Sequence, residues 1–328
     1  MNNDSVDFFN PSITTPDQAR NLAERIRDNI STVIIGKDRE IRLLITALIA
    51  RGHVLMEDVP GTGKTMLAKA LARSVELRFA RVQFTPDLLP SDVTGMSVFN
   101  PKDAEFTFRP GPAFTNLLLA DEINRATPRT QSALLEVMEE SQVTMDGVTR
   151  TLEAPFFVVA TQNPVEIQGT FPLPEAQLDR FLLRMKLGYP STLESRAVLE
   201  RYISDDPIER IEPVATKEAL LTAQKMARAI EASEPVLTYI VALCERTRAA
   251  ESVQLGVSTR GALALLRACQ AYALINGRSF VTPDDVQALA PAVLVHRIIV
   301  RGMYGRANAS DLIVEECLRQ VPVPTEVR

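Results

Sequence analysis

Apolar positions recur at helical spacing near the start of the chain. Ala19, Leu22, Ala23, Ile26 and Ile30 form one stripe over Pro16–Ser31, after a loose lead-in at 1–15. Ile41, Leu44, Ile45 and Leu48 form a second over residues 38–50, whose charges gather at its start. Between them the β-branched run Val33-Ile34-Ile35 leads into Gly36. The pattern then changes. His53-Val54-Leu55-Met56 is a short continuous apolar run that ends in a Gly/Pro-rich turn, and residues 64–74 read as a helix. Val82-Gln83-Phe84, Leu117–Ala120 and Phe156–Ala160 are further runs of the kind that suits parallel strands buried on both faces. With helical segments between them, they predict an α/β fold with a parallel sheet. Two β-type insertions interrupt it. Phe106 and Phe108 alternate with polar neighbours before Arg109-Pro110-Gly111-Pro112, and Asp146-Gly147 marks a two-residue hairpin. From about Pro190 helical patterns dominate, over 217–232, 235–249 and 259–276, and Thr282-Pro283 opens another. The change near Gly188–Ser191 predicts an α/β domain over 1–189 and a smaller all-α domain over 190–328.

Composition adds bounds. At 328 residues, 46% apolar and 23% charged, the chain can bury a sizeable core, and its length suggests roughly two domains. A net charge of −5 is a poor basis for general nucleic-acid binding, which depends on neutralising phosphates. Three widely spaced cysteines, Cys244, Cys269 and Cys317, argue for a reducing compartment. Two distant histidines make a His/Cys metal site a poor reading. The polar, acidic start is no secretory signal, and no apolar run reaches the ~20 residues of a membrane span, so a cytoplasmic location is expected.

Chemistry concentrates in a few stretches. Pro60-Gly61-Thr62-Gly63-Lys64-Thr65 lies between a predicted strand and helix. Glycines let backbone N–H groups wrap phosphate oxygens, and the helix N-terminus adds positive potential. Lys64 suits the β- and γ-phosphates of a nucleoside triphosphate, and the Thr65 hydroxyl suits Mg²⁺. The strict pattern places glycine where this chain has Asp58. The bland reading is a tight turn with a surface lysine. The run Leu117–Ala120 ends in Asp121 and Glu122. One carboxylate there can hold Mg²⁺ and the next can polarise a water for attack on a γ-phosphate. Asn163, at the end of another strand, offers a polar amide to the same phosphate or water, although Asn before Pro is also plain turn chemistry. Methionines such as Met138 and Met145, and the Phe residues, read as core.

Together these stretches resemble the AAA+ ATPases and, more narrowly, the MoxR family. The resemblance spans about Val33 to Pro291. It is carried by Glu57–Thr65, Phe108–Pro112, Leu119–Ala126, Ala160–Pro164 and, most specifically, Pro172–Phe181. Asp58 in place of glycine also fits that family. The resemblance implies that residues Pro60 to Met66 bind ATP with Asp121, that Thr65 and Asp121 hold Mg²⁺, and that Ile35 and Gly36 line the adenine pocket. It implies Asn163 as sensor 1, Arg180 as a finger reaching a neighbouring subunit's γ-phosphate, and Arg260 as sensor 2, reaching nucleotide from the helical lid. Glu122, Asn163, Arg180 and Arg260 are then the catalytic set. The insertions correspond to a helix-2 insert near 95–112 and a pre-sensor-1 hairpin near 141–152, elements that face a central pore in the wider clade. Arg125 stays open between an interface role and a helix-start ion pair, and Arg184 reads as structural.

A finger supplied in trans makes a head-to-tail contact, which closes into a ring or runs on as a filament. The family implies a ring, most often a hexamer, that drives chaperone-like maturation of protein complexes with von Willebrand factor A domain partners. The competing readings are a chelatase-type or nucleic-acid motor of the same clade and a slowly hydrolysing nucleotide switch.

Overall fold

The structure, a computed structural model, describes residues 13–164, 169–203, 206–302 and 308–325; the first twelve residues of the expected lead-in lie outside them. Thr15 opens the first described helix by a reciprocal cap with Gln18, and Pro16 sits at the first helical position. The elements run α1 (Pro16–Ser31), α2 (Asp38–Ile49), β1 (His53–Glu57), α3 (Lys64–Ser74), β2 (Phe79–Gln83), α4 (Pro90–Thr94), β3 (Gly95–Asn100), β4 (Glu105–Pro110), β5 (Leu117–Asp121), α5 (Pro128–Glu140), β6 (Gln142–Met145), β7 (Val148–Thr151), β8 (Phe157–Gln162), α6 (Glu175–Leu178) and β9 (Phe181–Met185). The lid follows with α7 (Thr192–Arg201), α8 (Lys217–Ala227), α9 (Glu234–Ala249), β10 (Val253–Leu255), α10 (Thr259–Ile275), α11 (Pro283–Leu294), β11 (Ile299–Val300) and α12 (Ala309–Gln320).

Five strands form one parallel sheet in the order β2-β5-β8-β1-β9. The apolar runs supply its buried centre: β5 is buried throughout and β8 in all but its last residue. Two apolar layers flank the sheet. One joins α1, α2 and α3 to the lid helices; the other packs α5 with Phe84, Val93, Leu118, Val158 and Phe181. Helix α1 lies directly on α10, so the start of the chain braces the lid.

Several expectations change here. The β-branched stretch 33–35 forms a turn, and the helix expected over 217–232 ends at Ala227. A short two-stranded sheet, β10–β11, is added to the helical lid. Both insertions are antiparallel hairpins, β3–β4 and β6–β7. Met138 is buried as read, but Phe99 and Phe106 are exposed at 49% and 74%, their rings in tilted contact with centres 5.3 Å apart. Their strands stand off the core, so alternation there serves a projecting hairpin rather than a half-buried sheet. The hairpins touch each other: Ser97 meets Asp146, and the Arg150 guanidinium lies 4.0 Å from the Phe108 ring centre.

Candidate nucleotide site and the two arginines

The register fixes where each candidate residue sits. His53 pairs with Phe181 at the start of the sheet, and Glu57 pairs with Gln162 at its end. The turn 58–63, Asp121, Glu122 and Asn163 therefore gather at the carboxyl edge. There Gly63, at φ +94°, passes the chain into α3 with no side chain capping the helix, leaving its first N–H groups to a ligand. Gly61 is at φ +82°, and a Cβ added at Gly61 or Gly63 would meet nothing within 4 Å. That open cradle, lined by backbone, fits a chain of phosphates.

Lys64 folds back over this cradle. Its ammonium donates to the carbonyls of Asp58 and Val59 at 2.8 and 2.9 Å. Burial pulls its pKa below the usual lysine range, opposed by the nearby carboxylates of Asp58, Asp121 and Glu122. Asp58 is buried and structural. One oxygen accepts from the Leu187 and Gly188 N–H groups at 2.8 and 2.7 Å, and the other from Val59 N–H at 2.9 Å. The residue that departs from the strict glycine pattern thus ties the phosphate turn to the strand that leads to the lid.

Asp121 accepts from the Thr161 hydroxyl at 2.6 Å and from Arg81 at 2.7 Å. Glu122 has left-handed backbone at φ +55°, stabilised by its N–H donating to the Thr161 hydroxyl at 2.8 Å. Its carboxylate accepts from Gln83 at 2.8 Å and pairs with Arg125 at 3.0 Å. Asn163 is buried beside a cavity of about 440 Å³ that also includes Asn124, Gln162 and Thr170. Thr65 and Asp121 each carry an oxygen of the hard kind that Mg²⁺ prefers, and would hold that ion together with water and phosphate oxygens. Among the described residues no group of three or more His, Cys, Asp or Glu side chains could hold a metal by itself. Ile35 is half-buried, and Gly36, at φ +72°, lies so close to Glu194 of α7 that a Cβ would clash with its carboxylate. Arg184 pairs with Glu57 and Asp311, each at 3.2 Å, a brace between two strands and α12.

The structure does not bring Arg180 and Arg260 to this cluster. Arg180 directly precedes β9 and so lies at the amino edge of the sheet. Glu139 lies there too, since the Met138 carbonyl accepts from His53 Nε2 at 2.9 Å. Both arginines bind Glu139, Arg180 at 2.7 Å and Arg260 at 3.0 Å. Burial works against ionising Glu139, but its two guanidinium partners outweigh that and hold its carboxyl below the usual range. A strand of five residues puts about 15 Å between this edge and the P-loop edge. The resemblance has Arg260 reach nucleotide from the helical lid; here it shares Arg180's edge. Sequence reading missed Glu139, Arg81 and Gln83 because each acquires meaning only through partners about 40 residues or more away.

Comparisons with known proteins bear on the family and the fold. Residues 53–183 match the family model for ATPases associated with various cellular activities (AAA), and residues 245–317 match the AAA lid domain. An uncharacterized protein of Bacillus subtilis, YeaC, is 52% identical over 91% of this chain and 94% of its own length. Chaperone MoxR1 of Mycobacterium tuberculosis is 37% identical over 92% of this chain and 82% of its own length. A crystal structure from Cytophaga hutchinsonii superposes with a TM-score of 0.86 at 36% identity, covering 94% of this chain and 97% of that one. The strand order, the phosphate cradle and this likeness over nearly the whole length converge on one conclusion: the chain belongs to the MoxR family of AAA+ ATPases.

Proposed function

We propose that this chain is a Mg²⁺-dependent ATP hydrolase that works as a ring, most often a hexamer, and drives chaperone-like remodelling of partner protein complexes. The backbone of 60–66 and Lys64 hold the phosphates of ATP, with Ile35 and Gly36 against the adenine. Thr65 and Asp121 hold Mg²⁺, which neutralises phosphate charge when bound. Glu122 leaves Gln83 and Arg125 to orient the attacking water, and Asn163 aligns it with the γ-phosphate. Arg180 and Arg260 of the next subunit leave Glu139 and balance the developing charge. The chain divides at 188–191, and movement of the lid carries the nucleotide state to the client.

One observation carries this reading: the pocket and the two arginines occupy opposite edges of one sheet, which leaves a lone chain with half a site. The projecting hairpins, with Phe106 outermost, are the surface we assign to client contact. The partner is a von Willebrand factor A domain protein, and the name of the MoxR1 relative supports the chaperone-like role. The compartment is the cytosol; among the described residues no helix is long and apolar enough to cross a membrane.

The test uses two variants. Glu122→Gln should bind ATP normally yet lose about 10²-fold or more in turnover, the scale of a lost general base. Lys64→Ala should lose nucleotide affinity. Unchanged turnover in Glu122→Gln overturns the catalytic assignment. A von Willebrand factor A domain protein should be recovered with ATP-locked Glu122→Gln and not with Lys64→Ala. ATPase activity strongly stimulated by single-stranded DNA would favour a nucleic-acid motor instead.

A further inference from the structure

Among the described residues, Arg297, in the 3-10 turn after α11, is the one buried arginine: its side chain is 2% exposed. Burying a guanidinium is costly unless every donor is used. Its donors converge on the segment that carries Arg180. Nε donates to Asp179 Oδ1 at 2.6 Å, one terminal nitrogen to the carbonyls of Asp179 and Phe181 at 3.2 and 2.6 Å, and the other to Leu182 O at 3.2 Å. The second of these also reaches Val293 O and His296 Nε2, tying the group into the lid. Residues 179, 181 and 182 are thus gripped while Arg180 between them points out to Glu139.

The same side chain supports Arg260. Its stem runs beneath Gly261, where an added Cβ would stand 2.9 Å from Arg297 Cδ and 2.6 Å from Val257. Ser258, the N-cap of α10, receives Gly261 N–H at 3.1 Å and donates its hydroxyl to Asp179 Oδ2 at 3.2 Å. Asp179 therefore receives Arg297 on one oxygen and the cap of the Arg260 helix on the other.

We infer that Arg297, acting through Asp179, is a positioning residue that fixes Arg180 and Arg260 relative to each other as one unit presented to the neighbouring subunit. This rests on the ring reading proposed above. Arg297 touches no nucleotide; it holds two guanidinium groups at the spacing at which both can reach one phosphate, and it binds that spacing to the position of the lid. A bidentate, multi-acceptor fork is required, so lysine does not replace it.

Trans-complementation tests this. Arg297→Met, Arg297→Lys and Asp179→Asn should each bind a fluorescent ATP analogue with wild-type affinity yet lose at least tenfold in ATPase rate. Glu122→Gln is inactive in its own pocket but carries intact arginines. Mixing it with any of these variants should restore turnover, since about a quarter of the interfaces in a random one-to-one mixture join an intact pocket to an intact arginine pair. A variant that merely unfolds is not rescued and loses ATP affinity; Asp179→Asn, at a side chain 21% exposed, carries the test should Arg297→Met fail to fold. Arg180→Ala is the reference. If Glu122→Gln rescues Arg180→Ala but neither Asp179→Asn nor the Arg297 variants, the positioning role is overturned. If Arg180→Ala is not rescued, the trans reading falls, and this inference with it. Full activity of Asp179→Asn and Arg297→Lys alone also overturns it.

Discussion

At the scale of single residues, burial decides which groups are chemistry and which are framework. His53 shows the second case. It is buried, its Nδ1 accepts from Val158 N–H at 3.0 Å, its Nε2 donates to Met138 O, and Phe156 packs on its edge. Both nitrogens are used by the neutral ring, and burial lowers its pKa from 6.5 to about 4. The unfolded chain takes up a proton near pH 6.5 while the folded one resists until about pH 4, so stability rises with pH across that window. The stabilisation is whole above pH 6.5, and about 3 kcal/mol of it is lost on acidification to pH 4. His296, held well below the usual range by burial and by Arg297, adds in the same direction. Denaturant melts between pH 7.5 and 4.5 should show this acid limb, and His53→Gln should flatten it by about one proton; an unaltered limb in the variant refutes the assignment. Asp58 makes a parallel point. Asp58→Ala strands the buried Leu187 N–H and the half-buried Gly188 N–H and should cost about 1–3 kcal/mol in a denaturant melt. An unchanged midpoint would mean that the tie between the phosphate turn and residues 187–188 contributes nothing.

At the scale of elements, the hairpin β3–β4 depends on two glycines that let its strands leave the core. Gly95 is at φ +96°, and a Cβ there would stand 2.4 Å from Arg109 O and 2.6 Å from Gly111 N. Both obstacles are backbone, so Gly95→Ala must displace a strand, at about 1–3 kcal/mol of local strain. Limited proteolysis should then nick the chain faster within 100–105 while ATP affinity stays unchanged; equal cleavage rates would place no strain at Gly95. Element by element, the sequence was readable where one signal sits in one contiguous run. Apolar blocks announced β1, β5 and β8, and Gly61–Thr65 with Asp121 and Glu122 marked a candidate site whose members the register gathers at the carboxyl edge of the sheet. The edge strand β9 was not legible, because Arg184 interrupts its apolar run and is compensated only by Glu57 from a distant strand. The exposed Phe99–Phe106 pair defeats composition alike, since only the projection of the hairpin separates a recognition surface from a core. Glu139 and Arg297 carry no local signature at all; their roles arise where the end of α5 and the turn after α11 converge on residues 179–182.

At the scale of the whole molecule, the parallel sheet acts as a spacer. Every strand points its carboxyl end at the phosphate cradle, so a residue that precedes a strand, as Arg180 precedes β9, is held a strand's length away from the chain's own nucleotide. The lid reinforces this by setting Arg260 on the same carboxylate as Arg180. Binding and hydrolysis should therefore separate cleanly. Arg180→Ala and Arg260→Ala should keep wild-type ATP affinity as monomers, because neither side chain belongs to that pocket, and should lose about 10³-fold in turnover, the scale of a missing arginine finger. Wild-type ATPase activity per chain should rise with protein concentration and plateau as rings fill, in step with the sedimenting species formed with ATP and Mg²⁺. The two arginines differ from every other site residue in this respect, since Lys64→Ala must fail in the monomer. If Arg260→Ala weakens ATP binding by a dilute monomer, the lid must reach its own pocket, and the separation of the two sheet edges does not govern the working enzyme. If activity per chain is independent of concentration over a range in which the protein sediments as a monomer, the pocket is complete within one chain and the ring is dispensable for chemistry.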